Sequence, residues 1–189
     1  VTLVACGKKE SLKMVFVSGS NEYSSNESLE KYKNYLENNY ENVQITLLKA
    51  GGEKNFKGEY SDLQGLEALD DCDVALFFTR RVTIDGEQLE AVKRYATSGR
   101  PIVGIRTASH GFQNWLEFDK LVFGGNYDDH YGEGPPAQIK IKSEAKNHPV
   151  LRGIVDFSSE YSLYKTSPVA SDAEVLISGT IPFEGPEGF

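Results

Sequence analysis

The chain has 189 residues, 39% hydrophobic and 25% charged, which is the bulk and balance of one globular domain and excludes a disordered chain or a repeat array. Its longest apolar runs, such as Val74 to Phe78, fall far below the roughly 18 to 20 residues that span a bilayer. A formal net charge of -8 argues against a nucleic-acid surface and leaves room only for a local anion site, while two cysteines, Cys6 and Cys72, are too few for a disulfide framework or a thiolate zinc site.

The first element is the opening Val1 to Glu10. Leu3, Val4 and Ala5 before Cys6, followed by Gly7, Lys8 and Lys9, resemble a bacterial lipoprotein cleavage site, with a small residue before the cut, an acylatable thiol and a polar tether. On this reading residues 1–12 are a signal-peptide remnant and tether, Cys6 carries the lipid, and the protein hangs from the bacterial cell envelope or lies in the periplasm. The plainer alternative is an apolar strand with a buried cysteine. Residues 13–189 then form one domain, clipped at its C-terminus.

Met14 to Ser18 predicts a buried strand ending in a loop at Gly19, Ser20 and Asn21. Asn26 is placed to cap a helix from Glu27 to Tyr40, whose positions Leu29, Tyr32, Tyr35, Leu36 and Tyr40 recur at spacings of three and four and define one buried face. Val43 to Leu48 predicts a second strand, Gly51, Gly52 and Gly58 a loop, and Leu63 to Leu69 a short helix. Asp73 to Thr79 reads as a strand buried on both faces, Ile84 to Ser98 as a helix stopped by Gly99, and Pro101 to Ile105 as a fourth strand. Such alternation predicts a doubly wound α/β domain, a mostly parallel sheet with helices on both faces. From Gln138 onward, Ile139 and Ile141 alternate with lysines, and Tyr161 to Lys165 and Glu174 to Ser178 predict added antiparallel or edge strands without requiring a second domain.

Ligands of open parallel sheets lie beyond the carboxyl ends of the strands. That rule singles out Gly19 to Tyr23, Arg80 and Arg81, Arg106 to His110, and Gly124 to His130, and predicts that they converge on one crevice. His110 and His130, each beside a serine or aspartate, are candidate acid–base groups. Arg106, on the last turn of an apolar strand, needs a carboxylate or an anionic ligand; an ion pair with Glu22 or Asp129 is the plainer account. Strand alternation turns only one of Arg80 and Arg81 toward the crevice. Glu22, Tyr23, Ser109 and Asp129 complete the candidate binding set, and Glu160 either joins it or faces water. His148, followed by Pro149, reads as a structural turn. A metal held by His110, His130 and an aspartate lacks any compact ligand spacing, so no metal and no cofactor is expected.

Gly104-Ile105-Arg106-Thr107-Ala108-Ser109-His110, Gly124 to His130, the His148-Pro149-Val150-Leu151-Arg152-Gly153 turn and Glu160 to Tyr164 together resemble the ThuA-like (trehalose utilisation) family, over a span from about Lys13 to the last residues. The resemblance implies the flavodoxin-like fold of the class I glutamine amidotransferase-like superfamily and a link to disaccharide or glycoside metabolism. Those amidotransferases carry a GxCxG nucleophile elbow after the equivalent strand. Here Arg106 replaces the cysteine and Ala108 the second glycine, so the thiolate that glutaminase chemistry needs has no source there, and Cys72 lies on a different strand. Many ThuA-like sequences place histidine at the Arg106 position. Three readings follow: an envelope-tethered protein that binds or processes a small carbohydrate ligand, a non-catalytic module that binds a partner or assembles into an oligomer, and a metal-dependent hydrolase. Whether the chain is an enzyme is left open by the sequence.

Overall fold

The computed structural model describes residues 11–132 and 136–181; Cys6 and the proposed tether up to Glu10 lie outside them. The Cα framework divides into two compact units, one ending at Phe123 and the other beginning at Gly124.

The first unit holds strands β1 (Leu12–Gly19), β2 (Val43–Lys49), β3 (Gly51–Lys54), β4 (Tyr60–Asp62), β5 (Val74–Thr79) and β6 (Ile102–Gly104), with helices α1 (Ser25–Asn39) and α2 (Gly86–Ala96). Strands β2, β1, β5 and β6 form a parallel sheet in that spatial order. Pairing runs in register from Met14 opposite Val74 to Gly19 opposite Thr79, so the carboxyl ends of β1 and β5 finish side by side. The chain leaves β1 toward one side of the sheet and β5 toward the other. β1 connects to β2 on one flank and β5 to β6 on the other, so the order of the strands reverses between the two central ones.

Both faces of β1 and β5 are covered, which is why their sequences are apolar without interruption. Val15, Val17, Ala75 and Phe77 pack with Ala91, Val92 and Tyr95 of α2, whereas Phe16, Leu76 and Phe78 pack with Ile45 and with Leu29 of α1. Below the end of β6, Phe118 gathers an aromatic knot, with ring centroids 5.4 Å from Phe77, 5.3 Å from Phe112, 5.2 Å from Trp115 and 5.1 Å from Phe123. Full burial of a phenylalanine such as Phe77 contributes on the order of 2–3 kcal/mol. This knot is the footing on which the segment after β6 stands.

Local details depart from the sequence reading. Asn26 lies inside α1, which starts at Ser25, and its Oδ1 accepts a 2.7 Å hydrogen bond from Ser18 Oγ, so it ties helix to strand and caps nothing. The α1 face is narrower than expected. Leu29 is buried, but Tyr35 and Tyr40 are exposed, and Tyr32 covers Phe16 only partly, at a ring separation of 5.6 Å. The predicted glycine loop contains an antiparallel hairpin of β3 and β4, and the short helix is a 3-10 turn over Leu66–Asp71.

In the second unit β7 (Asp129–His130) pairs with β10 (Tyr164–Lys165), and β8 (Ala137–Ile141) lies between β9 (Phe157–Ser159) and β11 (Ile177–Thr180). All of these ladders are antiparallel, as the alternating Ile139 and Ile141 implied. His148 caps a 3-10 turn over Pro149–Leu151 by accepting the Val150 amide at 3.3 Å, the structural role expected of it.

Candidate functional site

Three of the four predicted segments meet at the carboxyl end of the parallel sheet, and they share an unusual backbone. Among the described residues, the non-glycine positions with positive φ are Tyr23 (63°), Ser24 (48°), Arg81 (46°) and Arg106 (43°), and all four follow β1, β5 or β6. An L-residue held there costs about 1–2 kcal/mol, so the surrounding structure must overdetermine each one.

For Arg106 that structure is visible. Ile105 is extended, Arg106 turns left-handed, and Arg106–His110 winds into a 3-10 helix, a sharp strand-to-helix elbow. Gly104 is required because a Cβ there would come within 2.5 Å of the Phe123 ring. The far side is sewn to β5's extension, with Arg81 N donating to His110 O at 2.8 Å and Val82 N to Gly111 O at 2.9 Å. The elbow presents Arg106 half-buried, its guanidinium 5.1 Å from the Tyr23 ring centroid and Nη2 donating to Tyr23 Oη at 3.4 Å. His110 is buried at 5% exposure, with Nδ1 3.1 Å from Ser109 Oγ.

Beside the elbow, at the β1–β5 reversal, lies a charged cluster that the sequence reading only half anticipated. Arg80 Nη1 meets Glu59 at 2.5 Å and Nη2 meets Glu22 at 3.1 Å. Glu22 thus serves Arg80, where the sequence offered it to Arg106. Glu59, 2% exposed, also accepts from Asn21 N at 3.3 Å and Asn21 Nδ2 at 2.9 Å. It was missed because a lone acid after Gly58, in a stretch read as loop, carries no spacing signal; the hairpin of β3 and β4 is what brings it in. Ser18, Ser20 and Ser25 are buried behind the loop, where Ser25 Oγ accepts from Ser20 N at 3.1 Å and donates to Ser20 O at 3.0 Å.

Arg81 did not follow strand alternation, because its left-handed backbone lies beyond the end of β5. Its Nη1 donates to Gln113 Oε1 at 2.9 Å. Two further hydroxyls escaped the sequence reading: Thr79 Oγ1 and Thr107 Oγ1 are buried with no hydrogen-bond partner among the described residues. Nothing in the sequence distinguishes Thr79 from an ordinary strand threonine, or marks Thr107 out within the Arg106–His110 segment.

Asp129, His130 and Glu160 belong to the second unit. Exposed His130 donates from Nδ1 to Tyr131 O at 2.9 Å, since a carbonyl can only accept. Asp129 lies 3.9 Å from Lys165 Nζ, and Glu160 is exposed after β9. Among the described residues no three His, Cys, Asp or Glu side chains are gathered to hold a metal ion. Cys72 is buried, its Sγ 3.6 Å from Leu69 O, and burial pushes its thiol pKa up, the opposite of what an activated nucleophile needs. A cavity of about 150 Å³ between the 3-10 turn and α2, lined by Leu66, Gln88 and Arg94 among others, includes none of the candidate residues and is small for a ligand site.

The molecule is an α/β protein whose four-stranded parallel sheet is supplemented by antiparallel strands and bears a polar, backbone-strained carboxyl end. The model of the ThuA family, described as trehalose utilisation, matches residues 13–184, and the chain belongs to that family. No curated protein matches it. Among solved structures it resembles the crystal structure of a ThuA-like protein from Bacteroides uniformis ATCC 8492, at 17% identity and a TM-score of 0.60, covering 95% of this chain and 72% of that one. At that identity the likeness speaks for the fold.

Proposed function

We propose that this ThuA-family chain binds a sugar-derived ligand at the carboxyl end of its parallel sheet, on a doubly wound, flavodoxin-like plan. The observation that carries the reading is the convergence of the four strained residues Tyr23, Ser24, Arg81 and Arg106 on that one end. Strain retained at a single place marks where geometry is held for a ligand and not for packing. Tyr23 offers an aromatic face, Arg106, Ser109 and Glu22 offer hydrogen bonds to sugar hydroxyls, and His110 is the acid–base candidate. Glutaminase activity is absent on this reading, because arginine occupies the elbow where a thiol would act and Cys72 is buried with a raised pKa. The protein is exported and lipid-anchored to the cell envelope through Cys6.

A thermal-shift screen of trehalose, other mono- and disaccharides and their keto derivatives tests the reading, because ligand binding to the native state raises Tm with or without turnover. At least one sugar is expected to raise Tm in the wild-type protein and to lose that effect in Arg106→Ala. No shift across the panel, or a shift that survives Arg106→Ala, overturns it. A second reading, a non-catalytic module that binds a partner protein or assembles with itself, is favoured by the replacement of a nucleophile by Arg106 at the elbow. It gains ground if no glycoside or oxidised sugar is turned over and a partner protein co-purifies with the chain.

A further inference from the structure

Arg80 and Arg81 are consecutive residues in opposite electrostatic situations. Arg80 is held between the carboxylates of Glu22 and Glu59. Arg81 is half-buried, gives one N–H to the neutral amide of Gln113 at 2.9 Å, and meets no carboxylate among the described residues. A guanidinium is always charged and carries five N–H groups in a planar fork, so one amide oxygen leaves most of its bonding capacity unused in a place partly withdrawn from water.

The scaffold, and not a counter-charge, puts this side chain where it is. Arg81 N donates to His110 O at 2.8 Å, and Arg81 O accepts from Asn55 Nδ2 at 2.8 Å, so the elbow and the β3–β4 hairpin grip the left-handed residue from both sides. Nearby carboxylates do not relieve it, since Glu22 and Glu59 are both engaged by Arg80. In a chain of net charge -8, a cation held this way is a local exception. A pre-positioned fork with no internal acid fits two oxygens of one anionic group.

We propose that Arg81 receives the anionic group of the ligand, which makes that ligand a sugar bearing a carboxylate or a phosphate, in preference to a neutral disaccharide. The proposal rests on the reading of the carboxyl end as a sugar site. Carboxylate and phosphate share the chemistry that the fork recognises, and the two probes below separate them.

Calorimetric titration of the full chain with D-glucuronate, D-glucose 6-phosphate, D-glucose and inorganic phosphate tests it, in the wild-type protein, Arg81→Gln and Arg81→Lys. One of the two anionic sugars is expected to bind at least about tenfold more tightly than glucose, to lose about tenfold or more in Arg81→Gln, and to fall between the two in Arg81→Lys, which keeps charge without the fork. Glucose binding as tightly as both anionic sugars, or unchanged affinity in Arg81→Gln, overturns the proposal and leaves the sugar site standing. Binding of inorganic phosphate with no binding of either anionic sugar, or no binding of any probe, overturns the proposal; the sugar site itself falls only if the thermal-shift panel fails as well. If Arg81→Gln does not fold, salt decides in the wild-type protein: anionic-sugar affinity must weaken as NaCl rises from about 0.05 to 0.5 M, and an affinity that does not move overturns the proposal.

Discussion

The interior of the parallel sheet and its carboxyl end are continuations of the same strands, built to opposite specifications. In the interior, Phe16, Phe77 and Val17 are fully buried among apolar neighbours. At the carboxyl end, four residues take left-handed backbone, Glu59 is buried among donors, and Thr79 and Thr107 hold buried hydroxyls without partners among the described residues. The first region optimises stability. The second tolerates strain and unsatisfied groups, a pattern that packing alone does not account for.

Substitutions should separate the two. The largest effect is expected in the interior: Phe77→Ala should cost about 3–5 kcal/mol in denaturant unfolding, since it empties a site gripped by Phe112 and Phe118, while leaving ligand affinity in the surviving folded fraction unchanged. Glu59→Gln should cost less, about 1–3 kcal/mol, because Arg80 keeps Glu22 as partner, yet it should weaken any ligand bound at the carboxyl end by loosening Arg80 and Asn21. Thr79→Val reverses the sign. Removing a buried hydroxyl with no partner should raise stability by about 1 kcal/mol, and a loss instead would mean that the hydroxyl is satisfied in solution.

On the outer side of the sheet, where it also accepts from Ile45 N of β2 at 3.0 Å, Glu37 supplies a small control. A hydrogen bond from Lys33, at 2.6 Å, holds its carboxyl below the usual glutamate range. A depressed carboxyl pKa stabilises the fold above its unfolded value, near 4.3, and that contribution fades as pH falls through the folded value. Glu37→Gln should therefore be less stable than wild type at neutral pH by about 0.5 kcal/mol or less, with the gap closing in acid, as followed by thermal unfolding at several pH values.

What could be read from the sequence divides along the same line. Val15 to Val17 and Val74 to Phe78 announce doubly covered strands because burial on two faces demands unbroken apolar character, and the sheet followed from them. The rule about carboxyl ends then located Arg80, Arg81, Arg106 and His110 correctly in the fold. The partners were beyond reach. Glu59 arrives through a hairpin whose glycines read as loop, Glu22 goes to Arg80 because only three-dimensional register decides between two arginines, and the left-handed turn at Arg81 cancels the alternation assumed for it. Asn26, a good cap on composition, lies within the helix and is drawn to Ser18 instead.

The central claim, that the strained carboxyl end of the sheet is where the ligand sits, is tested most directly by amide chemical-shift mapping of the isotopically labelled protein titrated with trehalose and, separately, with D-glucuronate. The account predicts that shifts concentrate at Gly19 to Ser24, Thr79 to Arg81 and Arg106 to His110. Saturable binding with those amides unmoved, and the shifts confined to α1 or to the cavity beside α2, would contradict it.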